Sequence, residues 1–104
     1  MSVDVEYTGT SARVMLTGEL TIYSAAEVKS ALAEAMARAS ELEVDLSGIT
    51  EFDSAGLQLM LIVKRHPDTG VRFVGHPPAV LRLVDLANLG GALGDPLFLS
   101  AMES

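Results

Sequence analysis

The chain opens on strict alternation. Val3, Val5 and Tyr7 fall on one side of an extended segment and Asp4 and Glu6 on the other, the pattern of a strand with one wet face. Thr8-Gly9-Thr10-Ser11 is turn-like, and residues 12–16 form a second apolar run, so the first two elements read as a β-hairpin. The period then changes. Val28, Leu32, Ala35 and Ala39 share one stripe, with Lys29, Glu34 and Arg38 off it, which predicts an amphipathic helix over about residues 25–39. Ser24-Ala25-Ala26-Glu27 has the spacing of a capping box at its start. Residues 42–46 read as a third strand and residues 55–66 as an apolar second helix stopped by Pro67. Residues 71–74 read as a fourth strand. A third helix over about residues 79–87 follows Pro77-Pro78 and ends at Asn88-Leu89-Gly90-Gly91, and residues 97–99 read as a short last strand. After the hairpin the order is α-β-α-β-α-β. Right-handed crossovers make the later strands parallel. The expected fold is α/β: a mixed sheet of four to five strands with about three helices packed on it. With no repeat or linker, residues 1–104 read as a single domain.

The second helix carries more apolar surface than one sheet contact uses. Stepping about 100° per residue, Gly56, Met60 and Val63 face the sheet and Gln58 and Arg65 mark the outer face. Leu61 and Ile62 flank that polar pair, and Leu59 lies toward the side. Either a neighbouring element covers them, or they form a contact surface for another protein.

Composition narrows the function classes. The formal charge is −7, which disfavours electrostatic binding to nucleic acid or anionic lipid. It fits either plain solubility or steering toward a basic partner. The seven basic residues are scattered, with Lys64-Arg65 the one adjacent pair. There is no cysteine, hence no disulfide or thiolate chemistry. No apolar stretch reaches the roughly 18 residues of a membrane span, and no signal-peptide pattern opens the chain. A cytoplasmic protein without direct membrane insertion is expected.

The candidate chemistry centres on Ser54, where strand turns into helix, beside Asp53 and two residues before Gly56. A Gly-x-Ser-x-Gly elbow lacks its first glycine here, because Phe52 occupies that place. Of the two possible bases, His66 lies about 17 Å along the helix that Ser54 begins; His76 stays open on this argument. His66 and His76 with scattered carboxylates match no metal-ligand spacing, and Gly90-Gly91 has no lysine in phosphate-loop register. No metal, cofactor or enzymatic activity is expected. Asp45, Glu51 and Asp53 could be read as a carboxylate cluster, but such residues are more often solvated loop and strand-end charges. A helix N-terminus offers unpaired N–H groups and partial positive charge, so Ser54 is either a helix cap or a site that accepts a phosphate.

Asp45-Leu46-Ser47-Gly48-Ile49, then Phe52-Asp53-Ser54-Ala55-Gly56-Leu57 opening an apolar helix, resembles the STAS domain family of anti-sigma factor antagonists and their relatives. The element order is similar too, over roughly residues 5–100. The resemblance implies that Ser54, directly after the motif aspartate Asp53, is phosphorylated by a partner. That partner is an anti-sigma factor with a GHKL-type serine kinase fold, and a phosphatase resets the switch. The unphosphorylated antagonist binds the anti-sigma factor and frees the sigma factor for transcription. The partner surface expected from helix and motif together is Asp53, Ala55, Gly56, Gln58, Leu59, Leu61 and Ile62. Residues 18–29, with Ala55-Gly56-Leu57-Gln58, look closer to a second branch. Some of its members are encoded with chemotaxis signalling genes, and others are small subunits of lipid-transport ABC complexes. That branch implies a constitutive partnership with a transporter permease or ATPase, with Ser54 as the helix cap.

Overall fold

The computed structural model describes residues 1–86. Its elements are β1 (Ser2–Thr8), β2 (Ser11–Leu20), α1 (Ala25–Arg38), β3 (Glu41–Phe52), α2 (Ser54–Lys64), β4 (Gly70–Val74) and α3 (Pro78–Leu86). The four strands lie in the order β1-β2-β3-β4. β1 pairs antiparallel with β2, and β2–β3 and β3–β4 are parallel. The mixed sheet, the hairpin and three helices are as the periodicity predicts. The expected strand over 97–99 and the helix end at 88–91 lie outside the described residues.

Inward-facing Val14, Leu16, Val44, Leu46 and Phe73 meet Val28, Leu32, Ala35, Met60, Val63, Val80 and Val84 from the helices, all at most 2% exposed. The predicted α1 stripe of Val28, Leu32, Ala35 and Ala39 is the buried face. Among the described residues the opposite face of the sheet is open and charged, as one-sided sheets are. Glu6, Arg13, Glu43 and Arg72 form one cross-strand row of alternating sign. Arg13 lies 3.4 Å from Glu43 and 3.1 Å from Asp45, and Arg72 pairs with Glu43.

Two local expectations are corrected. β2 and β3 run past residues 16 and 46 to Leu20 and Phe52. Two register shifts, between Met15 and Thr17 and between Gly18 and Glu19, each insert a residue into β3. Bulges of this kind reverse inside-outside alternation: Leu46 and Ile49 are both buried although three apart. The capping box at α1 does not form. Ser24 has φ −114 and ψ −11 and makes no side-chain cap bond. Its hydroxyl donates to the Glu19 carbonyl at 2.6 Å and accepts from Thr21 N–H at 3.1 Å.

Asp45 links the open face to the acid limb of stability. The Ser47 N–H donates to its Oδ1 at 2.9 Å. That bond, then the Ser47 hydroxyl and, after an opposing effect of burial, Arg13 hold its pKa below the ordinary value of 3.8. The depressed group contributes stability that is present above its unfolded pKa and is lost as pH falls through the folded one. Melting curves between about pH 5 and 2 should therefore show a shallower acid decline for Asp45→Asn than for wild type.

Candidate functional site

The functional end of the molecule forms where β2 and β3 stop and α2 begins. Asp53 is extended, with φ −126 and ψ −173, and is the N-cap of α2. Its Oδ1 accepts from Ala55 N–H at 2.9 Å and Gly56 N–H at 3.3 Å. Its Oδ2 accepts from Ile22 N–H at 3.0 Å, across the loop between β2 and α1. One carboxylate therefore caps the helix and staples a distant loop to it. Asp53→Ala removes three charge-assisted bonds. Cap losses of this type cost about 1–2 kcal/mol, and the Ile22 bond should bring the total to about 2–3. A lowered urea midpoint with an unchanged slope is the expected reading.

This geometry overturns the reading of Ser54 as the cap. Ser54 is the first residue of α2, is exposed, and its hydroxyl makes no hydrogen bond among the described residues. Gly56 explains its own place in the motif. A Cβ there would lie 2.7 Å from the Phe52 ring and 2.8 Å from the Leu20 carbonyl, so only glycine lets the helix start this close to the strand ends.

The other expected partner residues divide. Gln58 is exposed, Ile62 is 54% exposed, Ala55 and Leu61 are half-buried, and Gly56 is buried. Leu59 is corrected outright: at 4% exposure it belongs to the core and offers nothing to a partner. Its burial follows from α2 touching both α1 and α3 as well as β3 and β4, which widens the covered arc beyond that of a sheet contact alone. Leu61 packs partly against the same core.

Sequence periodicity missed Ile22 and Tyr23. They are 69% and 96% exposed, and the Ile22–Asp53 bond holds their loop beside Ser54. Two large apolar residues in a short loop were the available signal, but only the fold brings that loop to α2.

The remaining candidates disperse. His66 lies beyond the C-terminal end of α2, and His76 is buried. Asp45 sits on the open face beside Arg13 and Asp53 caps α2, so the two carboxylates do not converge. Among the described residues no group of three or more His, Cys, Asp or Glu side chains is placed to hold a metal ion, and no helix is long and apolar enough to cross a membrane.

The arrangement has solved counterparts. An anti-sigma factor antagonist from Mycobacterium paratuberculosis superposes with a TM-score of 0.79 at 24% identity, covering 98% of this chain and 91% of that one. The anti-sigma factor antagonist SpoIIAA in its unphosphorylated form gives 0.70 at 16% identity, over 98% and 94%. The Bacillus cell fate determinant SpoIIAA in its phosphorylated form gives 0.68 at 17%, over 98% and 97%. At these identities the likeness is one of fold. No curated protein sequence matches the chain. A family model described as "Mlab, STAS domain" matches residues 3–99. The chain, whose Asp53-Ser54-Ala55-Gly56 turn opens α2 as the motif requires, belongs to the STAS domain family.

Proposed function

We propose that this protein is a regulatory interaction module of anti-sigma factor antagonist type, acting in the cytoplasm without catalysis of its own. It docks a serine kinase of GHKL type through the start of α2 and is released by phosphorylation of Ser54. One observation carries the reading: because Asp53 does the capping, the Ser54 hydroxyl is exposed and makes no hydrogen bond among the described residues. A kinase can take it without unravelling the helix. The likeness of fold to antagonists solved in phosphorylated and unphosphorylated forms supports the same reading.

The test is recovery of the protein from its own cells. Mass spectrometry should find phosphate on the peptide carrying Ser54, and Ser54→Ala should retain a kinase that Ser54→Asp does not. Unmodified Ser54 under every growth condition, with both variants retaining the same partners, would overturn the proposal. The similarity of residues 18–29 and Ala55-Gly56-Leu57-Gln58 to a second branch of the family favours a second reading, a constitutive subunit of a lipid-transport ABC complex. In that case Ser54→Asp should stay bound to a permease or ATPase in a membrane-associated complex.

A further inference from the structure

The loop between β2 and α1 presents its apolar side chains outward and is held in doing so. Tyr23 is 96% and Ile22 69% exposed. The loop's backbone is pinned by Ile22 N–H to Asp53, Tyr23 N–H to Thr21 Oγ1 at 3.3 Å and Ser24 N–H to the Thr21 carbonyl at 3.0 Å. A pinned loop with an exposed aromatic loses little entropy on docking.

The charged side chains around it are acidic. Glu19 and Glu51 are register partners across β2 and β3, a like-charge pair of the kind that destabilises a sheet. They, Glu27 and Asp53 make no ion pair among the described residues, whereas Arg13, Arg38 and Arg72 are all paired with carboxylates elsewhere. Two shallow concavities, of about 520 and 470 Å³, flank the loop. Both are lined by Glu19, Tyr23 and Thr50, the first also by Glu51 and Asp53 and the second by Glu27 and by Met1, which carries the N-terminal ammonium; no lysine or arginine is among the described lining residues.

We infer that the Ile22–Tyr23 loop is a docking surface for a protein face rich in arginine or lysine. One cationic side chain stacks on the Tyr23 ring, and others pair with Glu19 and Glu51. Cations favour aromatic faces, and such a face relieves the Glu19–Glu51 repulsion. The inference rests on the proposed role of the α2 start as a docking end and specifies the chemistry of what docks there. It coexists with release by phosphate on one condition: the basic side chains meet Glu19 and Glu51 on the strand side of Asp53 and leave Ser54, on its helix side, uncontacted, since a phosphate facing an arginine cluster would bind and not repel.

Titration of the ¹⁵N-labelled protein with a hexa-arginine peptide at low salt tests the surface without the natural partner. The largest amide shifts should fall at residues 19–24 and 50–54. Affinity should drop about five- to tenfold in Tyr23→Ala, with unchanged melting because that side chain is free of the core. Shifts centred instead on Asp4, Glu6 and Glu41, or equal affinity of wild type and Tyr23→Ala, would overturn the inference. With a partner retained by Ser54→Ala, the two proposals separate. If Ser54→Asp weakens binding while Tyr23→Ala and Glu51→Lys do not, the switch stands and this surface fails. If Tyr23→Ala and Glu51→Lys weaken binding while Ser54→Asp does not, the surface stands and the switch fails.

Discussion

Ser54→Asp is expected to weaken partner binding by about thirtyfold while moving the melting temperature by no more than about 2 °C. The stability half follows from two small opposed effects. The new carboxylate sits near that of Asp53, and at about 6 Å in water two unit charges repel by about 0.7 kcal/mol. It also sits in the first turn of α2, where the helix N-terminus favours a negative charge by about 0.3 to 1 kcal/mol. The two nearly cancel. No cap is lost, since the Ala55 and Gly56 N–H groups belong to Asp53. A phosphate carries about −1.5 to −2 charges and roughly doubles the repulsion, still a small fraction of a domain's stability.

Docking changes the dielectric. Once water is excluded, the same two charges about 6 Å apart at an effective dielectric near 20 repel by about 2.8 kcal/mol, about 2 kcal/mol more than in water, which is about thirtyfold in affinity. The effect should appear chiefly in the dissociation rate, because short-range interface changes act there. Surface plasmon resonance on wild type, Ser54→Ala and Ser54→Asp, run beside thermal melts, checks both halves. A large melting shift in Ser54→Asp would mean that the charge acts on the fold, and equal affinities would remove the switch.

Much of this site was legible in the sequence, for physical reasons that mark where legibility ends. Gly56, Met60 and Val63 face inward as a period of 3.6 residues requires, and the stripe from Val28 to Ala39 packs as its spacing dictates. Which of Asp53 and Ser54 caps α2 was not legible, since both residue types cap well. The choice is made by the extended backbone at Asp53. The Ser24 box failed because its hydroxyl had a competing acceptor, the Glu19 carbonyl, which only tertiary structure supplies. The extension of β3 was hidden because two inserted residues break the alternation that marks strands, and that of β2 because Thr17-Gly18-Glu19 carries no large apolar side chain. Tyr23 joined the site through a bond from Ile22 to Asp53, 31 residues apart, a separation that local periodicity does not sense.

Leu59 and Ile62 carry the sharpest remaining test, because three residues apart on one helix they should fail in opposite ways. Leu59 is 4% exposed and belongs to the cluster that fills the space beneath the helices. Truncation to alanine leaves a cavity that neighbours on three sides close only in part, at a cost of about 2–5 kcal/mol. For a chain of this size that lowers the melting temperature by roughly 10–25 °C. Partner binding by the fraction that stays folded should be unchanged, since Leu59 presents no surface. Ile62 is 54% exposed; Ile62→Ala removes little buried area and should cost under about 1 kcal/mol of stability. If the outer face of α2 is part of the docking surface, Ile62→Ala weakens the partner by about tenfold, as loss of a buried aliphatic anchor does. Urea denaturation and partner titration on the two variants give a two-by-two outcome. Unchanged binding by Ile62→Ala would confine the contact to the start of α2 and the Ile22–Tyr23 loop. A small stability loss in Leu59→Ala would mean that α1 and α3 do not enclose α2 as tightly as its burial implies.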